Sequence, residues 1–266
     1  MFRDFYQMNS TPFSRDIPVD RLYQTQSMKE NLQRLIYTAE RNWFSTLTGD
    51  PGCGKTTMLR LFVHSLNGSE TKALYVSDSK LTPRNFYKGL LEQLGCEAKF
   101  YRGDAKRQLH REIILLKVTH KQNPVVIVDE AHLLDREMLE EVRFLLNTEM
   151  DAVSPMALVL AGQNELREHL SLQKHTAIKQ RTDIGCHVPY FDRFETGEYV
   201  RHHICETGSQ NEIFSEAALE EIYHFSGGAA RLINKVCTHC LIYGAQNNQH
   251  IIDDHMVRRV VEGEVA

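Results

Sequence analysis

Apolar and polar positions change their rhythm once along the chain, near residue 191. Before that point, compact apolar runs at 43–48, 124–130 and 156–163 read as buried strands and 73–76 as a short strand. Stretches of helical spacing separate them. Met28, Leu32, Leu35, Ile36 and Ala39 mark one face of a helix, and Leu109, Ile113, Leu116 and His120 mark one face of another over 107–121. Thr82 and Pro83 supply a cap and a first helical residue for a helix ending near Leu94-Gly95, and further helices are expected over 136–146 and around 176–181. A short strand is expected over 187–190. Strands alternating with helices predict an α/β fold, a parallel sheet with helices on both faces. After residue 195 only helical patterns remain, over 197–206, 215–225, 228–245 and 253–262, with Ser215 and Asp253 placed to cap. The expected organisation is an arm (1–27), an α/β domain (28–190) and a small C-terminal helical domain (191–266).

Between the first strand and the helix after it stands Gly49-Asp50-Pro51-Gly52-Cys53-Gly54-Lys55-Thr56, with Thr57 following. This fits the phosphate-binding pattern G-x-x-x-x-G-K-S/T in the strand-loop-helix context it requires. Glycines let successive N–H groups turn inward, and the helix N-terminus adds the positive end of its dipole. Lys55 is then expected to reach the β- and γ-phosphates of ATP, and Thr56 to ligate Mg2+ through its hydroxyl. The strand over 124–130 ends in Asp129 and Glu130, delivered to the C-terminal edge where open α/β sheets bind ligands. Asp129 is the candidate second holder of Mg2+, and Glu130 the group that orients or deprotonates the attacking water.

Composition is that of an ordinary soluble protein, with 42% hydrophobic and 25% charged residues among 266. No apolar run approaches the roughly 20 residues of a membrane span, and the N-terminus lacks a signal-peptide core, so a cytoplasmic location is expected. The six cysteines are expected as reduced thiols; Cys237 and Cys240 form a lone C-x-x-C that lacks a second ligand pair for zinc and suits core packing. The net charge of −4 hides an asymmetry, because residues 72–121 hold 11 Lys/Arg against 5 Asp/Glu, a local +6 that leaves −10 elsewhere. Such a patch is suited to an anionic partner.

Taken together these motifs resemble the AAA+ ATPases over essentially the whole chain. The resemblance rests on the phosphate loop, on Asp129-Glu130, on Gln163 ending the next strand, on Gln180-Arg181 before the last strand, and on Gly227-Gly228-Ala229-Ala230-Arg231 opening a helix of the lid. It implies that Gln163 positions the attacking water, that Arg181 is an arginine finger reaching the γ-phosphate of a neighbouring subunit, and that Arg231 couples lid closure to the same phosphate. Gln163 departs from the commoner Asn or Thr at its position. Within the family, Pro12-Phe13, Leu160-Ala161-Gly162-Gln163 and Gly228-Ala229-Ala230-Arg231-Leu232-Ile233-Asn234 most resemble the secretion-associated ExeA/GspA ATPases and the transposition helpers of the TnsC, TniB and Mu B kind. ExeA-type proteins continue into a transmembrane segment and a periplasmic domain, so a chain ending at the lid disfavours that role. Asp129-Glu130-Ala131-His132 also spells a helicase box, but 266 residues leave no room for the second domain a helicase needs.

Two classes of function remain open. One is an ATPase that forms ATP-dependent homo-oligomers on double-stranded DNA and recruits or activates a transposase, using the basic segment with Lys99, Arg102, Lys106, Arg107 and Arg111 interleaved with Phe100 and Tyr101. The other is an ATPase that remodels or signals to a protein partner, with the basic segment a solvated face.

Overall fold

In a computed structural model, residues 2–78, 81–146, 154–209 and 211–265 are described. The chain forms two compact units. The larger comprises Ser27–Asp50 and Lys55–Val188; the smaller comprises Met1–Gln26, Pro51–Gly54 and Pro189–Ala266.

Among the described residues the larger unit is built on five strands, β1 (Phe44–Thr48), β2 (Thr71–Val76), β3 (Asn123–Val128), β4 (Ala157–Gly162) and β5 (Ile184–His187). They form one parallel sheet in the order β2-β3-β4-β1-β5. The continuous apolar runs of β3 and β4 are the central strands, as burial on both faces demands. Helices α2 (Gln26–Arg41), α3 (Lys55–Ser65), α4 (Pro83–Gln93), α5 (Arg102–Thr119), α6 (Arg136–Leu145), α7 (Asn164–Ser171) and α8 (Thr176–Lys179) connect them. Leu90, Leu109, Ile113, Val126, Met138 and Leu158 share one core there. Thr82 caps α4, its side chain accepting from Asn85 N at 3.3 Å, with Pro83 at the first turn.

Some elements differ from the sequence expectation. Helix α5 starts at Arg102 instead of 107, because Ala105 is buried and extends the apolar face of Leu109, Ile113 and Leu116 backwards. The eight-residue α7 was not expected; its apolar face is only Leu166 and Leu170, too short a repeat to read. The last strand lies at Ile184–His187, not 187–190. Asp183 sets its start, accepting from Phe44 N at 2.8 Å and donating its own N–H to Phe44 O. The ladder closes with Val188 N donating to Thr48 O, and Pro189 has no N–H to continue it. Residues 79–80 and 147–153, between predicted elements, lie outside the described residues.

The smaller unit joins the short helix α1 (Phe2–Phe5) and the rest of the N-terminal segment to α9 (Arg193–Cys205), α10 (Glu216–Ser226), α11 (Ala230–Gln246) and α12 (Asp254–Val260). Tyr6, Met8 and Phe13 are buried in the same core as Ile222, Ile233, Val236 and Leu241. Tyr6 donates its hydroxyl to Gln249 O at 2.9 Å, and Gly244 leaves room for it, since a Cβ there would lie 2.1 Å from that oxygen. Asn9 N donates to Thr207 O at 2.8 Å. Asp192 and Glu195 form a reciprocal capping box on α9, and Ser215 and Asp253 cap α10 and α12. Cys237 and Cys240 are fully buried in this core.

Candidate nucleotide site

Strand order determines what meets at the C-terminal edge. Because β4 lies between β1 and β3, the loop after β1, Gln163 after β4 and the acids after β3 issue from three adjacent strands. Lys55, the first residue of α3, is buried, and its ammonium donates to Gly49 O at 2.9 Å and Asp50 O at 3.0 Å. Thr56 Oγ1 donates to Asp129 Oδ2 at 3.3 Å. Asp129 is 4% exposed, yet three donors hold it: Thr56 and Tyr75 on Oδ2, Tyr75 at 2.8 Å, and Glu130 N on Oδ1 at 2.9 Å. Tyr75 ends up a very weak acid. Burial is the main cause, and its hydrogen bond to Asp129 adds to it, so that the phenol is pushed up to about 12 and stays a donor.

Glu130 takes a left-handed backbone, φ 53° and ψ 30°, which turns its side chain out of the strand direction and leaves it half-exposed. His132 Nδ1 lies 3.6 Å from Glu130 Oε2 and 3.4 Å from Gln163 N, which points its N–H at the ring. Gly162 permits this approach, because a Cβ there would lie 2.9 Å from His132 N. Gln163 itself is half-buried; the neighbouring Asn164 is the residue whose side chain reaches the loop, donating to Asp50 Oδ1 at 2.7 Å. Thr57 is half-buried in the first turn of α3. Arg181 lies in the turn between α8 and β5, half-buried, its N–H donating to Ile178 O.

In the smaller unit, Gly52 and Gly54 have φ of +81° and +101°, conformations that L side chains rarely adopt, and a Cβ on Gly54 would meet nothing within 4 Å. Gly52 O accepts from Arg231 N at 3.2 Å, and Pro51 O accepts from the Tyr190 hydroxyl at 3.0 Å. Cys53 is buried and the Arg231 side chain is exposed.

These groups fit a magnesium-bound nucleotide. The hydroxyl of Thr56 and the carboxylate of Asp129 are hard oxygen donors already side by side, the kind Mg2+ takes together with phosphates. Lys55 donates to two loop carbonyls at the same edge, and its ammonium is the kind of donor that phosphate oxygens accept from.

The five basic residues of the predicted DNA surface do not form one free patch. Glu141 of α6, 3% exposed, accepts from Arg102, from Lys106 at 2.7 Å and from the Tyr87 hydroxyl; Arg102 also pairs with Glu137. Arg102 and Lys106 therefore also tie α5 to Glu141 of α6, while their side chains stay partly exposed. Arg107 pairs with Asp104 at 2.6 Å, while Lys99, Arg107 and Arg111 remain exposed beside Phe100 and Tyr101. Sequence reasoning also passed over Tyr75, His132 and Asn164. His132 could have been found, since it closes the Asp129-Glu130-Ala131-His132 run, and Asn164 adjoins Gln163; Tyr75 gave no local signal.

The family model for the AAA domain matches residues 39–170. That stretch is similar to an AAA domain. It contains Gly49 to Thr57, Asp129, Glu130 and Gln163, whereas Arg181 and Arg231 lie beyond the matched stretch. The whole chain is similar to General secretion pathway protein A of Aeromonas hydrophila, 29% identical over 271 residues, and covers 47% of that protein. It thus spans about half the length of the curated relative it matches. The fold is like that of Cdc6p from Pyrobaculum aerophilum, with a TM-score of 0.70 at 17% identity over 94% of this chain and 69% of that one. It is also like the Aeropyrum pernix Orc1 protein, solved in complex with DNA, with a TM-score of 0.72 at 14% identity over 94% of this chain and 68% of that one. Among the described residues no helix is long and apolar enough to cross a membrane.

Proposed function

We propose that the chain is a Mg2+-dependent ATPase that assembles with copies of itself on double-stranded DNA in its ATP state and there recruits or activates a transposase. The observation carrying the nucleotide reading is the meeting of Thr56 and Asp129 beside Lys55, from sequence positions that only this sheet order brings together. Lys55 and the loop N–H groups of residues 49–57 bind the phosphates, and Thr56 and Asp129 hold Mg2+. When bound, that ion offsets the negative charge of the β- and γ-phosphates. Glu130 orients the attacking water and takes its proton, and Gln163 helps place that water. Arg181 supplies positive charge to a neighbouring copy's γ-phosphate, and Arg231 links nucleotide to the helical unit. Arg181→Ala should bind nucleotide and hydrolyse it slowly, and mixing it with Lys55→Ala should restore activity, since one protein brings an intact pocket and the other an intact finger. No rescue on mixing removes the trans role.

DNA as the partner is supported by the exposed Lys99, Arg107 and Arg111 with Tyr101, and by the fold likeness to a protein solved on DNA. One subunit offers few such cations, so affinity must come from repeating the patch along the duplex. Duplex DNA should be titrated against salt with ATP and with ADP, for wild type and for Lys99→Glu with Arg111→Glu, which leaves the Glu141 network intact. Salt-dependent binding in ATP, lost in the reversal, is expected.

A second reading, an ATPase acting on a protein partner in secretion, is supported by the match to General secretion pathway protein A across the full chain. Under it, neither nucleotide state binds duplex DNA and hydrolysis does not respond to DNA.

A further inference from the structure

Asp129 sits between two kinds of partner. Thr56 and the Glu130 N–H come from the nucleotide loop's helix and from its own turn, while Tyr75 comes from β2, an edge strand the phosphate-binding pattern never touches. The Tyr75 backbone is itself clamped. Its N–H donates to Gln93 Oε1 at 2.8 Å, its carbonyl accepts from Gln93 Nε2 at 2.9 Å, and Gln93 is anchored in turn to Gly89 O at 3.1 Å. A carboxylate has about four acceptor positions, and three donors fill three of those on Asp129, which leaves one directed by the others.

We infer that Tyr75 is a positioning residue for the cation subsite, its hydroxyl fixing the Asp129 carboxylate so that Oδ1, which takes one donor where Oδ2 takes two, keeps a lone pair for the cation. The inference rests on the nucleotide reading above. Groups that orient a metal-holding carboxylate commonly change metal affinity by about 10–100-fold when removed. Tyr75 bonds to Asp129 through its hydroxyl and to Gln93 through its backbone, so its effect on nucleotide should run through the cation.

The test is ADP binding by calorimetry, first in EDTA and then at stepped Mg2+ concentrations, for wild type and Tyr75→Phe. Expected is the same ADP affinity in EDTA and a Mg2+ half-saturation raised about tenfold in Tyr75→Phe. A half-saturation equal to or below that of wild type overturns the inference, as does an equal loss of affinity in EDTA, which marks a role in folding alone. If wild-type protein binds no ADP, the nucleotide reading itself fails and this inference falls with it; ADP binding by wild type that ignores Mg2+, or a response matched by Tyr75→Phe, overturns the inference alone.

Discussion

Thr56 Oγ1 and Asp129 Oδ2 lie 3.3 Å apart across 73 residues of sequence. Neither residue could find the other by local structure. The contact exists because β1 and β3 both flank β4 and run parallel, so their C-terminal ends open on the same side.

Lys55→Ala should lose ATP binding, whereas Glu130→Gln should retain it and lose turnover by about 10^2-fold or more, the usual contribution of a general base. Equilibrium nucleotide binding and steady-state phosphate release separate the two. A Glu130→Gln protein that turns over at the wild-type rate sinks the role given to Glu130.

Gly162→Ala tests the closeness of β4 to the turn carrying Glu130. The added methyl would stand 2.9 Å from His132 N and 3.3 Å from Leu166 Cδ2, and a backbone atom cannot step aside as a flexible side chain can. Overpacking of this kind costs about 1–3 kcal/mol. Denaturant midpoints and hydrolysis rates should both fall; unchanged values for both would mean that the turn has slack.

Glu141 should make the larger unit acid-sensitive. Burial alone would raise its carboxyl, but hydrogen bonds from Lys106, Tyr87 and Arg102 outweigh burial and hold it at about 2, below its ordinary 4.5. A depressed carboxylate contributes stability that is fully present above 4.5 and is lost as pH falls toward 2, at most about 3 kcal/mol here. Glu141→Gln should flatten the stability profile across that window and lower stability at pH 7. A variant that keeps the wild-type acid slope shows that another group carries it.

His203 places a separate acid limit on the smaller unit. It is 3% exposed, packed 4.3 Å from Tyr199 and 5.5 Å from Phe13 between ring centroids. Burial, aided by the neighbouring His202, lowers it to about 4 from an ordinary 6.5. Protonation is therefore resisted in the folded state, and stability falls by about 3 kcal/mol as pH drops from 6.5 through 4. Near-UV circular dichroism during acid titration should show the Phe13 and Tyr199 environment loosening at a higher pH than the Glu141 transition. His203→Phe should remove that step, and its persistence in the variant assigns it elsewhere.

What could be read from the sequence was whatever depends on spacing along the chain. The phosphate loop has fixed intervals, and the β-branched run before Asp129 declares a buried strand by itself. Tyr75 escaped because its meaning depends on β2 lying beside β3, a neighbour relation that no local pattern encodes. Arg102 and Lys106 read as surface cations for the same reason: Glu141 lies 39 and 35 residues away and looks, alone, like any helical acid. The missed α7 and the shifted β5 are short elements fixed by two leucines and by Asp183 gripping Phe44, signals too small to outweigh the turn residues around them.

Gln93 does more than steady Tyr75. Strand β2 is an outer strand, and the outward backbone of such a strand is a template on which another chain can lay itself down and begin an aggregate. With its amide oxygen on Tyr75 N and its amide nitrogen on Tyr75 O, Gln93 offers the donor and acceptor a sixth strand would bring, and so occupies that template at one position with a side chain. The sheet stops growing there because its next partner has already been supplied from α4.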